Sequence, residues 1–149
     1  MQRCRITEAE LADIPALVPL LAQLFTLESD FQPDAAKQAA GLRLIVENPA
    51  LGRIFVLRSE ERIIGMANAL ITASTAEGCL VLILEDVIVA EPHRGGGLGR
   101  MLVNHVLGWA KQQGLPRVTL LADRDNGPAM RFYEKLGFRE SAMMVYRYS

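Results

Sequence analysis

Four glycines lie within a seven-residue segment, Arg94-Gly95-Gly96-Gly97-Leu98-Gly99-Arg100. An apolar stretch typical of a strand precedes the segment, and an amphipathic pattern typical of a helix follows it. Glycine is costly in chain entropy, so four of them indicate a backbone that needs positive φ or the close approach of a ligand. Successive backbone N–H groups at a helix start bind anions, and the helix dipole adds to the attraction. The loop therefore predicts a site for a phosphate or a pyrophosphate.

Two common phosphate-binding loops do not match this segment. A Walker loop requires Gly-Lys followed by Ser or Thr, whereas Gly99 is followed by Arg100 and Met101. The dinucleotide fingerprint G-x-G-x-x-G also fails, because its third glycine position holds Arg100. A nucleotide-phosphate enzyme is therefore disfavoured. A plain surface turn is disfavoured as well, because the loop joins a strand with a buried pattern to an amphipathic helix.

Glu85 and Asp86 are the second feature that could do chemistry. They interrupt Leu80–Val89, a predicted strand that is otherwise apolar on both faces. A buried carboxylate must be paired or protonated, so one of the two could accept a proton in a reaction. Strict alternation places Glu85 on the face of Val87 and Val89, with Asp86 on the opposite face. A structural ion pair with an arginine is the alternative for both, and it has more weight for Asp86.

The elements that must position these residues follow an α/β order. Six strands are predicted, at Arg3–Thr7, Arg53–Arg58, Ile63–Thr72, Leu80–Val89, Arg117–Leu121 and Met143–Tyr148. Four helices are predicted, one with an apolar stripe from Leu11 to Phe25 and three at about Asp34–Glu47, Leu98–Gln113 and Pro128–Leu136. We therefore expect a mixed central sheet of about six to seven strands flanked by about four helices, in a single domain over residues 1–149.

Composition narrows the class of protein. The chain has 149 residues, with 16 Lys and Arg against 17 Asp and Glu, a formal net charge of −1. This balance lacks the basic footprint of a nucleic-acid-binding protein. The longest apolar run, Cys79–Leu84, is far short of a membrane span, and no signal-peptide pattern follows the N-terminus. We therefore expect a cytoplasmic protein without nucleic-acid, membrane or metal partners.

Two segments resemble the signature of the GNAT superfamily of acyl-CoA N-acyltransferases. Arg94-x-x-Gly97-x-Gly99 is similar to the superfamily motif Q/R-x-x-G-x-G/A. The segment from Asn126 to Phe138, N-G-P-A-M-R-F-Y-E-K-L-G-F, is similar to N-x-x-A-x-x-F-Y-E-K-x-G-F. Both segments occur in order and on the expected elements. The resemblance implies a GNAT-like fold, acetyl-CoA as cosubstrate and a primary amine that attacks it directly.

The resemblance also implies roles for individual residues. The pyrophosphate would bind the glycine loop, at Arg94, Gly95, Gly96, Gly97, Leu98, Gly99 and Arg100. The pantetheine arm would pair with the preceding strand at Val87, Ile88 and Val89, and Asn126 would hydrogen-bond the cosubstrate. Tyr133 would lie beside the thioester sulfur and act as the acid, because an ordinary phenol keeps its proton at pH 7. Glu85 is the implied proton acceptor, and Asp86 and solvent remain open.

The acceptor side is implied to lie on the first two helices and their connecting loop. Phe25, Glu28, Asp30 and Phe31 lie there, and two acids with two aromatics suit a cationic amine of a small molecule or a peptide. A solvated acidic loop is the alternative reading of these residues. A GNAT-like module that binds acyl-CoA without turnover is the alternative to an enzyme, and a homodimer is left open.

Overall fold

The computed structural model describes residues 3–27 and 32–149. Within these ranges the strands are β1 (Cys4–Glu8), β2 (Gly52–Ser59), β3 (Arg62–Ser74), β4 (Cys79–Val89) and β5 (Val118–Leu120). The helices are α1 (Ile14–Leu27), α2 (Ala35–Glu47), α3 (Leu98–Gln112) and α4 (Gly127–Lys135). Short 3₁₀ turns at Leu11–Asp13 and Glu91–His93 precede α1 and the glycine loop. The α/β class and the four predicted helices are confirmed.

The strands form one mixed sheet in the order β1-β2-β3-β4-β5. The first four strands are antiparallel neighbours, and β5 lies parallel to β4. Parallel neighbours need a crossover connection, and α3 supplies it between β4 and β5. The glycine loop therefore lies where β4 ends and the crossover begins.

The prediction of six to seven strands was wrong: the described residues form five. Met143–Tyr148, expected as the last strand, has no strand assignment, and its Tyr146 and Tyr148 side chains are exposed. Apolar residues form a strand only where a neighbouring strand and a packing surface receive them. No strand in the described part of the chain pairs with this segment.

Strand β2 shows how the sheet separates two cores. Phe55 and Leu57 pack in a cluster with the buried face of α3. Ile54 and Val56 point the other way and pack in a cluster with α1 and α2. Alternation along a strand produces this arrangement, because successive side chains leave opposite faces. The sheet is thus covered on both faces.

Candidate active site

A β-bulge in β4 decides where the two carboxylates point. Met66 of β3 pairs with Ile88, but Asn68 pairs with Glu85, so two steps along β3 correspond to three along β4. The extra residue is accommodated at Asp86, whose φ is +54°. Aspartate is among the few non-glycine residues that adopt this left-handed conformation readily.

The bulge reverses the alternation of side chains along β4. Before it, Leu82 and Leu84 pack with α3; after it, Val87 and Val89 pack against that same cluster. Glu85 and Asp86 both line a cleft on the opposite face, between the sheet and helices α1 and α2. The prediction that alternation separates Glu85 from Asp86 was therefore wrong, because it assumed an unbroken strand.

The cleft has a volume of about 720 Å³, and Asn68, Glu85 and Asp86 are among the residues that line it. The Asn68 Nδ2 group donates a hydrogen bond of 2.6 Å to Asp86 Oδ2. Burial raises the pKa of the Asp86 carboxyl to about 6; the hydrogen bond from Asn68 opposes the rise, and the charge of Glu85 adds to it. A carboxylate with a pKa near neutrality suits proton transfer, because it is ionised at pH 7 and still basic.

Two buried amides in the cleft have unpaired atoms. Gln38 on α2 is 7% exposed, and Asn68 on β3 is 4% exposed. Neither amide atom of Gln38 has a hydrogen-bond partner among the described residues, and the same holds for Asn68 Oδ1. A buried polar atom left unpaired costs about 1–3 kcal/mol, so these atoms indicate a surface that a ligand completes. Neither residue stands out in the sequence: Asn68 is one polar residue in an apolar stretch, and Gln38 follows Lys37 among alanines.

The edge of β4 beyond the bulge is open on the side of β5. Pairing between the two strands runs only from Leu82–Val118 to Leu84–Leu120. Beyond Leu84, no strand in the described part of the chain pairs with β4 on that side. The Ala90 N–H bonds Ile64 on the β3 side, so antiparallel alternation turns the Val89 N–H and C=O away from β3. The open edge can therefore accept backbone-like hydrogen bonds from an extended ligand.

The glycine loop ends this open edge and begins α3. Gly95 and Gly97 have φ of +87° and +82°, and Gly97 is the N-cap residue. No side chain caps the helix, and its first backbone bond runs from the Met101 N–H to the Gly97 carbonyl. The preceding N–H groups of the first turn are thus available to an anion at the positive end of the helix dipole. This geometry fits the phosphate site predicted from the sequence.

Arg94 is placed at the same corner. Its Nε group donates a hydrogen bond of 2.7 Å to the Val89 carbonyl. The guanidinium thus ties the end of β4 to the start of the glycine loop. The Val89 carbonyl is one of the backbone groups on the open edge of β4, and Arg94 occupies it in this structure.

Helix α4 lies beside the loop and carries Tyr133. A Cβ atom on Gly99 would lie 3.4 Å from Phe132 Cζ and 3.9 Å from Val89 Cγ2, which shows that α4, α3 and β4 meet there. The half-buried Tyr133 ring lies between Phe132 and Phe138, with centroid distances of 5.1 and 5.7 Å. This packing fixes the orientation of the Tyr133 ring on α4.

The remaining predicted residues have separate positions. Asn126 Oδ1 accepts a hydrogen bond from the Ala129 N–H and caps α4, which leaves the Asn126 Nδ2 group to donate to a ligand. Its role in binding the cosubstrate stays a prediction. The Ile88 side chain is buried in the core with α1 and α2, and the same alternation turns its backbone N–H and C=O toward Met66 of β3, so neither lies on the open edge. Phe25 lines the cleft, whereas Glu28, Asp30 and Phe31 lie outside the described residues.

The described residues contain no group of three or more His, Cys, Asp or Glu side chains that could hold a metal ion. No helix within 3–27 or 32–149 is long and apolar enough to cross a membrane.

Comparisons with known proteins agree with this architecture. The chain is 39% identical to streptothricin acetyltransferase of Streptomyces lavendulae over 57 residues, which are 38% of this chain and 30% of that protein. It is 35% identical to glucosamine 6-phosphate N-acetyltransferase of Trypanosoma brucei brucei over 88 residues, 58% of each protein. The chain thus spans less than two thirds of the length of both relatives.

A solved structure shares the whole fold. A predicted acetyltransferase from Clostridium acetobutylicum, crystallised with acetyl-CoA, is 16% identical and aligns over 98% of this chain and 96% of that chain, with a TM-score of 0.81. Residues 17–138 match the model of the acetyltransferase (GNAT) family. Because this match covers most of the chain, the chain belongs to the acetyltransferase (GNAT) family.

Proposed function

We propose that this chain transfers the acetyl group of acetyl-CoA to a primary amine by direct attack. One observation carries the proposal: the open edge of β4 runs from the carboxylates at the bulge to the anion site of the glycine loop. A ligand with an extended arm that carries amides could pair with this edge, and a diphosphate at the end of that arm could bind the glycine loop. The C. acetobutylicum structure contains acetyl-CoA, and the two relatives are named acetyltransferases, which supports the same donor.

The groups of this chain that fit the donor lie along one line. The backbone of Val87 and Val89 would hydrogen-bond the amides of the pantetheine arm, and the N–H groups from Gly95 to Arg100 would hold the pyrophosphate. Acetyl-CoA supplies the activated thioester, and the protein supplies its position and the proton transfers.

The acidic cleft would hold the amine and take its proton. In the reaction a bond forms between the amine nitrogen and the acetyl carbon, and the carbon–sulfur bond breaks. A cationic amine must lose one proton before it can attack, and the Asp86 carboxylate accepts that proton, directly or through water, because its pKa of about 6 keeps it ionised at neutral pH. The second proton, which the nitrogen loses on attack, leaves through water to solvent. Glu85 lies beside Asp86 and keeps the cleft negative, which favours a cationic acceptor.

The leaving thiolate requires a proton of its own. We assign this role to the Tyr133 hydroxyl, on the helix that meets the glycine loop and the end of β4. The products are an acetamide and a free thiol. Asp86 then releases its proton to solvent, and Tyr133 takes up a proton from solvent.

An amine screen with acetyl-CoA tests this proposal. Thiol release is followed with a disulfide reagent, and the acetylated product is identified by mass spectrometry. We expect release of thiol only when an amine is present. Binding of CoA without acetylation of any amine would instead support a non-catalytic acyl-CoA-binding module.

A further inference from the structure

We propose that the cleft selects an amine that also carries a hydroxyl or carboxamide group, and that Gln38 and Asn68 recognise this acceptor. The inference rests on the proposed function and names the class of acceptor for that reaction. An unsubstituted alkylamine is the poorer acceptor in this view.

Asn68 lines the part of the cleft, beside Asp86, that would receive the amino group. Its Nδ2 group is committed to Asp86, and this bond orients the side chain so that Oδ1 remains an unpaired acceptor. An ammonium group has only donors, and it needs acceptors on more than one side. Asn68 Oδ1 and the neighbouring Asp86 carboxylate supply such acceptors where the proton is to be removed.

Gln38 marks a second position in the cleft. It lies on the face of α2 that also carries Leu42 and Ile45, and all three residues line the cleft. Both its amide nitrogen and its amide oxygen are buried, with no partner in the part of the chain that the structure describes. A carboxamide presents a donor and an acceptor side by side, so its complement is a neutral group that has both.

Other ligand groups satisfy Gln38 less well. A second ammonium can pair only with Oε1, a carboxylate only with Nε2, and a methylene with neither. A hydroxyl, a pair of hydroxyls or an amide can satisfy both atoms. A polar site that a ligand must complete discriminates strongly against an analogue lacking the group, because the buried atoms then stay unpaired.

The remaining walls agree with an acceptor of this kind. Apolar side chains also line the cleft, among them Leu21, Leu42 and Leu70, and they suit a carbon skeleton. The described lining contains three acidic residues, Asp34, Glu85 and Asp86, against one basic residue, Lys37. The volume of about 720 Å³ lies in the range of small-molecule sites and exceeds what a simple alkylamine fills.

A matched pair of acceptors tests the inference: trans-2-aminocyclohexanol and cyclohexylamine, which differ by one hydroxyl. The ratio of their kcat/KM values is measured for the wild type, for Gln38→Leu and for Gln112→Leu, an exposed position on α3 at the other face of the sheet. Comparing ratios between variants removes the intrinsic difference in amine basicity. We expect the wild type and Gln112→Leu to favour the aminoalcohol tenfold or more. Gln38→Leu should bring the ratio to within about threefold, mainly by raising KM for the aminoalcohol.

A second variant tests Asn68. Asn68→Leu should raise KM for both acceptors and move the acid limb of kcat/KM to higher pH, because the hydrogen bond that lowers the pKa of Asp86 is lost. The Kd for CoA should stay at the wild-type value, whereas a general structural defect would also weaken CoA binding.

If Gln38→Leu fails to fold, Gln38→Met replaces it, since methionine keeps an unbranched side chain of similar length.

The outcomes separate the two proposals. Wild-type protein that acetylates both amines equally, with an unchanged ratio in Gln38→Leu, overturns the acceptor inference and leaves the transferase proposal standing. Wild-type protein that binds CoA and acetylates neither amine, nor any amine of the wider screen, overturns both.

Discussion

At the residue scale, the choice between the two adjacent carboxylates depends on Asp86 having a partner. Asp86 is held by Asn68, sits at the bulge and has a raised pKa, whereas Glu85 has no hydrogen bond of this kind among the described contacts. A proton acceptor needs a fixed position as well as a suitable pKa, because transfer requires hydrogen-bond distance to the reacting group. Asp86 is therefore the better candidate, although the strand pattern had favoured Glu85.

Asp86→Asn should lower kcat/KM by about 10²–10⁴-fold, the usual contribution of a general base. The wild-type profile should lose activity as pH falls through about 6, since protonated Asp86 cannot accept a proton. Asp86→Asn should lack that limb, and its defect should shrink at high pH, where more of the amine arrives deprotonated. Glu85→Gln is the matched control and should have the smaller effect. A larger defect in Glu85→Gln would transfer the role to Glu85.

Tyr133 gives a second prediction at this scale. Tyr133→Phe keeps the ring that packs between Phe132 and Phe138, so CoA affinity and folding should be close to wild type. Loss of the hydroxyl should reduce kcat by about 10²–10⁴-fold. Steady-state kinetics with an identified acceptor and calorimetric CoA titration measure the two effects separately. An unchanged kcat would mean that water protonates the thiolate.

At the element scale, the site consists of two departures from regular structure at the two ends of one open strand edge. The bulge brings Glu85 and Asp86 to the cleft face, and Gly97 starts α3 in a conformation that leaves its first amides uncapped. Each departure leaves polar groups accessible that a regular strand or a capped helix would satisfy internally.

Gly97→Glu should abolish CoA binding, because a side chain and a negative charge would then occupy the anion site. Gly78→Glu is a matched control: Gly78 has φ of +70° and open space around it, as Gly97 does, but it lies in the β3–β4 turn at the far end of β4. Both variants should lose about 1–2 kcal/mol of stability from the left-handed conformation. Only Gly97→Glu should lose CoA affinity, as measured by calorimetry. Equal CoA affinities in the two folded variants would contradict the assignment of the loop.

The same elements show what the sequence predicts and what it does not. Helix α2 was expected at Asp34–Glu47 and spans Ala35–Glu47 with Asp34 as its cap, because apolar periodicity and a capping residue are local signals. The bulge at Asp86 is not local: it depends on how β4 pairs with β3, and no residue pattern within β4 reveals it. The strand expected at Met143–Tyr148 is absent for the same kind of reason, because a strand forms only where another strand pairs with it. Gln38 and Asn68 were identifiable only as polar interruptions, since their burial depends on the packed cleft.

At the scale of the whole molecule, the site is built into the sheet at a cost to stability. The Asp86 carboxylate is held in a cleft where burial disfavours its charge. At Asp13, by contrast, hydrogen bonds and a neighbouring positive charge favour the ionised form. Burial alone would raise the pKa of Asp13, but bonds from the Glu10 N–H and from Arg58, with the charge of Arg58, lower it. One carboxylate thus opposes folding at neutral pH, and the other supports it. Such opposition is expected where function needs a strained or desolvated group.

The two aspartates should therefore give opposite stability profiles in urea denaturation between pH 2 and pH 7, Asp86 above about pH 4 and Asp13 below it. Because the folded protein raises the pKa of Asp86 to about 6, its contribution is most favourable at low pH and is lost as pH rises from about 4 to 6. Asp86→Asn should match the wild type near pH 4 and be about 1–3 kcal/mol more stable at pH 7, while losing transferase activity. Asp13→Asn should be less stable than the wild type at pH 7 and should approach it as pH falls, since a lowered pKa gives stability that acid removes. If Asp86→Asn were destabilised at pH 7 to the same degree as Asp13→Asn, the Asp86 carboxylate would be a structural group of the fold rather than a desolvated group of the active site.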